Sequence, residues 1–100
     1  MPLEFQWSER KAASNLKKHR VAFETAKTVF EDMHARIVYD DEHSEIEDRF
    51  TIVGRSDRGR LLFVSFVERG SSVFRIISAR VATRLEREDY ENRKGHKDRS

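Results

Sequence analysis

Of the 20 basic residues in this chain of 100, 14 are arginine, and 12 of the 20 lie beyond residue 50. Arginine presents a planar fork of N–H donors that meets phosphate oxygens two at a time, so its concentration points to an anionic partner; an arginine-rich but otherwise ordinary surface is the plain alternative. Cutting a phosphodiester at a neighbouring 2′-hydroxyl sets three demands. The hydroxyl must lie in line with phosphorus, charge on the phosphoryl oxygens must be stabilised, and protons must move at both ends. Arginine meets the second demand directly.

Arg80 falls at the end of a β-prone run, just before a helix opening at Arg84, which suits a phosphate ligand; an ion pair with Glu86 or with the acidic loop is the alternative. Arg75 lies on the same run. Strict alternation puts the two on opposite faces, so they share a cleft only if the strand twists or bulges near Ser78. Glu47 and Arg49, two apart at a strand entry, could pair a general base with a phosphate ligand, and a plain salt bridge has the same signature. His43, among carboxylates, is a candidate general acid or a solvated loop histidine. Arg60, Arg84, Lys17 and Lys18 are candidate substrate-binding cations, each equally readable as a solvated surface charge. Tyr90 could stack on a base or simply pack on a sheet.

Cysteine is absent, which removes disulfides, thiolate catalysis and Cys-based zinc sites. His34 and His43 with Asp40, Asp41 and Glu42 match no recognised metal spacing, so neither a metal nor another cofactor is expected. The apolar runs are too short to span a membrane, and the N-terminus lacks the charge and apolar pattern of an export signal, so a cytoplasmic protein is expected. Residues 35–50 carry 2 Lys+Arg against 6 Asp+Glu, whereas residues 51–100 carry 12 against 7. The positive field therefore belongs to the second half.

The elements that must position these residues read as one α+β domain over residues 1–91, with a polar, frayed tail at 92–100. Glu4 to Trp7 is a short strand, and Ser8 is a fitting N-cap for a helix to about His19. Phe23, Ala26 and Phe30 form the buried stripe of a second helix ending near Glu31 or Asp32. Arg36 to Tyr39 is β-prone, and Asp40 to Asp48 is loop by composition. Three strands follow over residues 48–80, joined at Gly54–Gly59 and Glu68–Ser72, as an antiparallel meander. The first two helices are expected to pack on it through Leu16, Phe23 and Phe30, with Phe66 and Ile76 buried. Thr83 and Glu86 form a capping box for a short, lightly docked last helix from Arg84 to about Arg93.

The stretches FQWSERKAASNLKKHRVAFETA, DDEHSEIEDRFTIVGRSDRGRLLFVSF and RIISARVATRLEREDYE resemble the BrnT family of bacterial toxins over about residues 5–91. The most specific pieces are Asn15 to His19, the HSE at His43 to Glu45 with Glu47 and Arg49, Gly59–Arg60, and Arg75 to Arg80. Ser8 departs from the family, where an acidic residue is expected after the tryptophan. The resemblance implies a RelE-like ribonuclease fold in the bacterial cytoplasm and growth inhibition through RNA cleavage. It also implies a BrnA-like antitoxin that neutralises the toxin in a 2:2 heterotetramer and alone contacts operator DNA. A non-catalytic module that binds nucleic acid or protein is the other class of function these residues allow, and strand cleavage separates the two.

Overall fold

The computed structural model describes residues 3–98, with side-chain surroundings through residue 93. The elements run β1 (Glu4–Gln6), α1 (Glu9–His19), α2 (Phe23–Ala26) continued by a 3₁₀ segment Lys27–Glu31, β2 (Arg36–Tyr39), β3 (Arg49–Arg55), β4 (Leu61–Arg69), β5 (Val73–Val81) and α3 (Arg84–Asp98). The expected meander β3–β4–β5 forms the centre of a five-stranded sheet of order β1-β5-β4-β3-β2. β1 joins β5 in parallel, and β2 joins β3 antiparallel, so both β-prone outliers become edges. Gly59 and Gly70, at φ +84° and +69°, supply the left-handed turn positions of the two hairpins.

One face of the sheet carries the core. Ile52, Leu62, Val64, Phe66, Ile76 and Ala79 meet Val21, Phe23, Ala26 and Val29 from the α1–α2 layer. Phe30 lies over this face with ring centroids 5.0 Å from Phe66, 5.1 Å from Phe5 and 5.3 Å from Phe74. Gly54 lets the 3₁₀ segment come this close, because a Cβ there would stand 2.9 Å from the Ala35 Cβ and 3.1 Å from the Val29 carbonyl oxygen. The second helix was expected to run unbroken to Glu31. It tightens after Ala26, where the Thr28 hydroxyl donates to the Thr25 carbonyl (2.7 Å) and accepts from the Asp57 N–H (2.9 Å), competing with the α-helical ladder.

Leu16 does not pack as expected; it is 49% exposed, and its neighbour Asn15 is buried instead. The reason is a short edge. β1 pairs β5 only as far as Arg75, so the backbone of Ala79 has no strand beside it. The Asn15 amide takes that place, donating to the Ala79 and Val21 carbonyls (2.8 and 2.9 Å) and accepting from the Ala79 N–H (3.0 Å). α3 opens with the expected capping box: the Thr83 N–H donates to Glu86 (2.9 Å) and the Glu86 N–H to the Thr83 hydroxyl (3.2 Å). The helix continues past Arg93 to Asp98, and residues 99–100 of the expected frayed tail lie outside the described residues.

Candidate active site

β5 carries a bulge. Ser78 stands opposite Ser65 and Ile76 opposite Phe66, which leaves Ile77 without a partner on β4. Beyond the bulge the alternation is reset: Arg80 pairs Phe63 and Arg75 pairs Val67, two positions that share a face of β4. Arg49 pairs the same Val67 from the other side. Arg49, Arg75 and Arg80 therefore stand on one face, opposite the α1–α2 layer, with Thr51, Ser65 and Ser78 in the rung between them. Strand spacing puts the Cα atoms of Arg49 and Arg75 roughly 10 Å apart across β4, and the rungs of Arg75 and Arg80 about 13 Å apart along it.

The start of β3 is tied to the acidic loop by its backbone. The Arg49 N–H donates to the Ser44 hydroxyl (2.9 Å), and the Arg49 carbonyl accepts from the Asp40 N–H (2.8 Å). His43, Glu47 and Arg49 thereby line one pocket of about 340 Å³, with Glu42, Glu45 and Ile46. His43 Nδ1 lies 2.9 Å from Asp40. Glu47 precedes the strand and pairs Arg69 at 2.8 Å, so the suspected Glu47–Arg49 bridge is not the one formed. The buried Nε of Arg49 has no hydrogen-bond partner among the described residues. Arg75 lines a wider, open pocket of about 750 Å³ beside Gln6 and Trp7.

Arg80 takes up the ion pair that the sequence offered as its alternative role. Its Nη1 and Nη2 each donate to one oxygen of Glu86 at 2.9 Å, and Nη1 also reaches the Val81 carbonyl at 3.2 Å. The guanidinium lies over the Phe63 ring at 4.0 Å. Partial burial works to raise the Glu86 carboxyl, but the hydrogen bonds from Arg80 and Thr83 and the Arg80 charge outweigh it and hold it below the usual carboxylate range.

Tyr90 lies elsewhere. It is buried, and its hydroxyl donates to Asp32 (2.7 Å), which also accepts the backbone N–H of Arg55 (2.7 Å) and of His34 (2.9 Å). This cluster ties α3 to β3 and to the end of the 3₁₀ segment, so the helix is held more firmly than its sparse apolar content suggested. Sequence reasoning passed over Asp32; its one signal was the acidic pair Glu31–Asp32 closing an apolar helical stripe. The remaining candidates are not brought to the arginine face. Arg60 donates to the Arg20 carbonyl at 3.2 Å, Arg84 is 90% exposed beside Glu88, and Lys17 and Lys18 end α1 on the other side of the sheet. Among the described residues no three histidine, aspartate or glutamate side chains are grouped so as to hold a metal ion.

A family model described as the ribonuclease toxin BrnT of type II toxin–antitoxin systems matches residues 7–86. The crystal structure of the ribonuclease toxin BrnT of Brucella abortus is similar in fold at a TM-score of 0.63 and 21% identity, covering 82% of this chain and 99% of that one. No curated protein matches the sequence.

Proposed function

The chain belongs to the family of BrnT ribonuclease toxins of type II toxin–antitoxin systems, and from that premise we propose that it cuts RNA at the strand's own 2′-hydroxyl, without a metal, on the face that carries Arg49, Arg75 and Arg80. The observation behind this reading is the bulge at Ile77, which brings Arg80 to the side of the sheet that already carries Arg49 and Arg75. Fixed guanidinium donors can stabilise the charge that builds on the phosphoryl oxygens, the task a metal ion performs in other nucleases. Arg80 is the principal transition-state ligand, Arg49 and Arg75 hold neighbouring phosphates, and Glu47 and His43, in the pocket of Arg49, are the candidate proton carriers.

A type II system pairs its toxin with an antitoxin. We take the partner to be BrnA-like, to assemble with the toxin 2:2, and to lay carboxylates over the arginine face in competition with RNA. Kinship with RelE-like ribonucleases and a cytoplasmic site of action belong to the same reading. No helix among the described residues is long and apolar enough to cross a membrane.

The decisive experiment is cleavage of single-stranded RNA in EDTA. Cutting should persist, DNA should survive, and an RNA with one 2′-deoxy substitution at the cleaved position should resist. Cleavage that needs added magnesium, or that proceeds at the deoxy position, rules the mechanism out.

A further inference from the structure

We propose that Glu86 is the positioning residue of this site, turning the Nε–Nη2 edge of Arg80 toward a phosphate of the bound RNA; the inference rests on the reading of Arg80 as a phosphate ligand. A guanidinium has five N–H donors. Glu86 takes one from Nη1 and one from Nη2, and the Val81 carbonyl takes the second of Nη1. The two that remain, the Nε–H and the outer Nη2–H, have no partner among the described residues. They lie side by side on one edge, parallel and in plane, which is the arrangement that meets two oxygens of a phosphate at once.

Arg80 is held from two directions. Phe63 supports one face of the guanidinium at 4.0 Å, and Glu86 grips the distal end with both oxygens. Glu86 is itself fixed, because the Thr83 N–H donates to the same Oε1 that Arg80 contacts. The capping box of α3 thus does more than start a helix. It anchors a carboxylate, the carboxylate anchors a guanidinium, and the free edge is set before substrate arrives, so less conformational freedom is lost on reaching the transition state.

Simple charge arithmetic predicts the opposite consequence for the same residue. A carboxylate 2.9 Å from a phosphate ligand repels the phosphate, so removing its charge should tighten RNA binding and speed cleavage. Positioning predicts that Glu86→Gln, which keeps the size of the side chain and an oxygen able to accept from Thr83, lowers kcat about 10-fold or more while KM changes less than about 3-fold. Tyr90→Phe is the control for a loosened α3. It removes the hydroxyl that donates to Asp32 and leaves Thr83, Glu86 and Arg80 in place, so its melting temperature should fall while kcat stays within about 2-fold of the parent.

The experiment is steady-state cleavage of a single-stranded RNA by the full chain and by Glu86→Gln, Tyr90→Phe and Arg80→Ala, with melting temperatures alongside. Slow Glu86→Gln with near-normal Tyr90→Phe supports the proposal. Glu86→Gln that cuts as fast as the parent or faster makes Glu86 a competitor of the phosphate and overturns it, as does Tyr90→Phe losing as much kcat as Glu86→Gln, which would trace the loss to a loosened α3. Full activity in Arg80→Ala would remove the phosphate role of Arg80 itself and the proposal with it; slow Arg80→Ala beside fast Glu86→Gln removes only the positioning role.

Discussion

Arg75 and Arg80 stand on the same side of β5 although they are five positions apart, because Ile77 between them faces no residue of β4. An odd separation on a regular strand points two side chains to opposite faces, and one unpaired residue restores the match. The rungs of the two arginines lie about 13 Å apart, and Glu86 holds the Arg80 guanidinium beside the start of α3. On the proposed reading they hold different phosphates of one strand.

That separation gives the first prediction. Arg80→Ala should slow RNA cleavage by about 100-fold, the usual cost of removing a transition-state charge ligand. Arg75→Ala should also slow it, and the double variant should show the product of the two effects, since sites more than about 7–10 Å apart behave additively within about 0.5 kcal/mol. A double variant no slower than Arg80→Ala alone would mean that both arginines serve one phosphate. Single-turnover rates on the same RNA decide between these outcomes.

A second prediction concerns Asn15, whose amide stands in for a missing strand at the Ala79 edge of β5. Replacing it with Ala leaves buried backbone groups of Val21 and Ala79 without partners, at about 1–3 kcal/mol for each unsatisfied group. Asn15→Ala should therefore cost at least about 2 kcal/mol by denaturant melting. Asn15→Asp should fare little better, because a carboxylate cannot donate to the two carbonyls. A loss below about 1 kcal/mol for either variant would mean that water replaces the amide.

The meander, both hairpin turns, the caps at Ser8 and Thr83 and the apolar stripe of Phe23, Ala26 and Phe30 could be read from the sequence, since each depends on neighbours within a few positions. What could not be read depends on distant partners. Leu16 and Asn15 are adjacent on α1, and periodicity favoured the leucine. The backbone of Ala79, 64 positions away from Asn15, decided for the asparagine. The strand alternation likewise foresaw that Arg75 and Arg80 could meet only through a bulge near Ser78, yet no residue type in Ile76 to Ala79 announces one. The same limit hid Asp32, whose three donors come from Tyr90, Arg55 and His34.

The packing of the helical layer yields a paired prediction. Phe30→Ala should cost about 3 kcal/mol or more, because it opens a cavity among Phe5, Phe66 and Phe74. Leu16→Ala should cost less than about 1 kcal/mol, since about half of that side chain already faces water. Equal losses from the two would return Leu16 to the core.

The last prediction follows from the Asp32–Tyr90 hydrogen bond that fastens α3. Burial works to raise the Asp32 carboxyl, yet the Arg55 N–H, the Tyr90 hydroxyl, the His34 N–H and the His34 charge together bring it below its ordinary value of 3.8. A carboxyl held low in the folded state adds stability above its unfolded value, and that stability is lost as pH falls through the folded value. The docking of α3 should accordingly weaken on acidification below about pH 4, where the unfolded chain takes up a proton that the native Asp32 resists. Tyr90→Phe removes one of the donors that hold the carboxyl low and leaves the ring over Arg55. It should lower stability by about 1 kcal/mol at neutral pH. It should also reduce the fall in stability between pH 5 and pH 3, because less of the native preference for the ionised form remains. Parallel denaturant melts of the parent and Tyr90→Phe across that range measure both effects. An unchanged acid slope would show that Tyr90 fastens the helix by its ring alone and that the backbone donors suffice for Asp32.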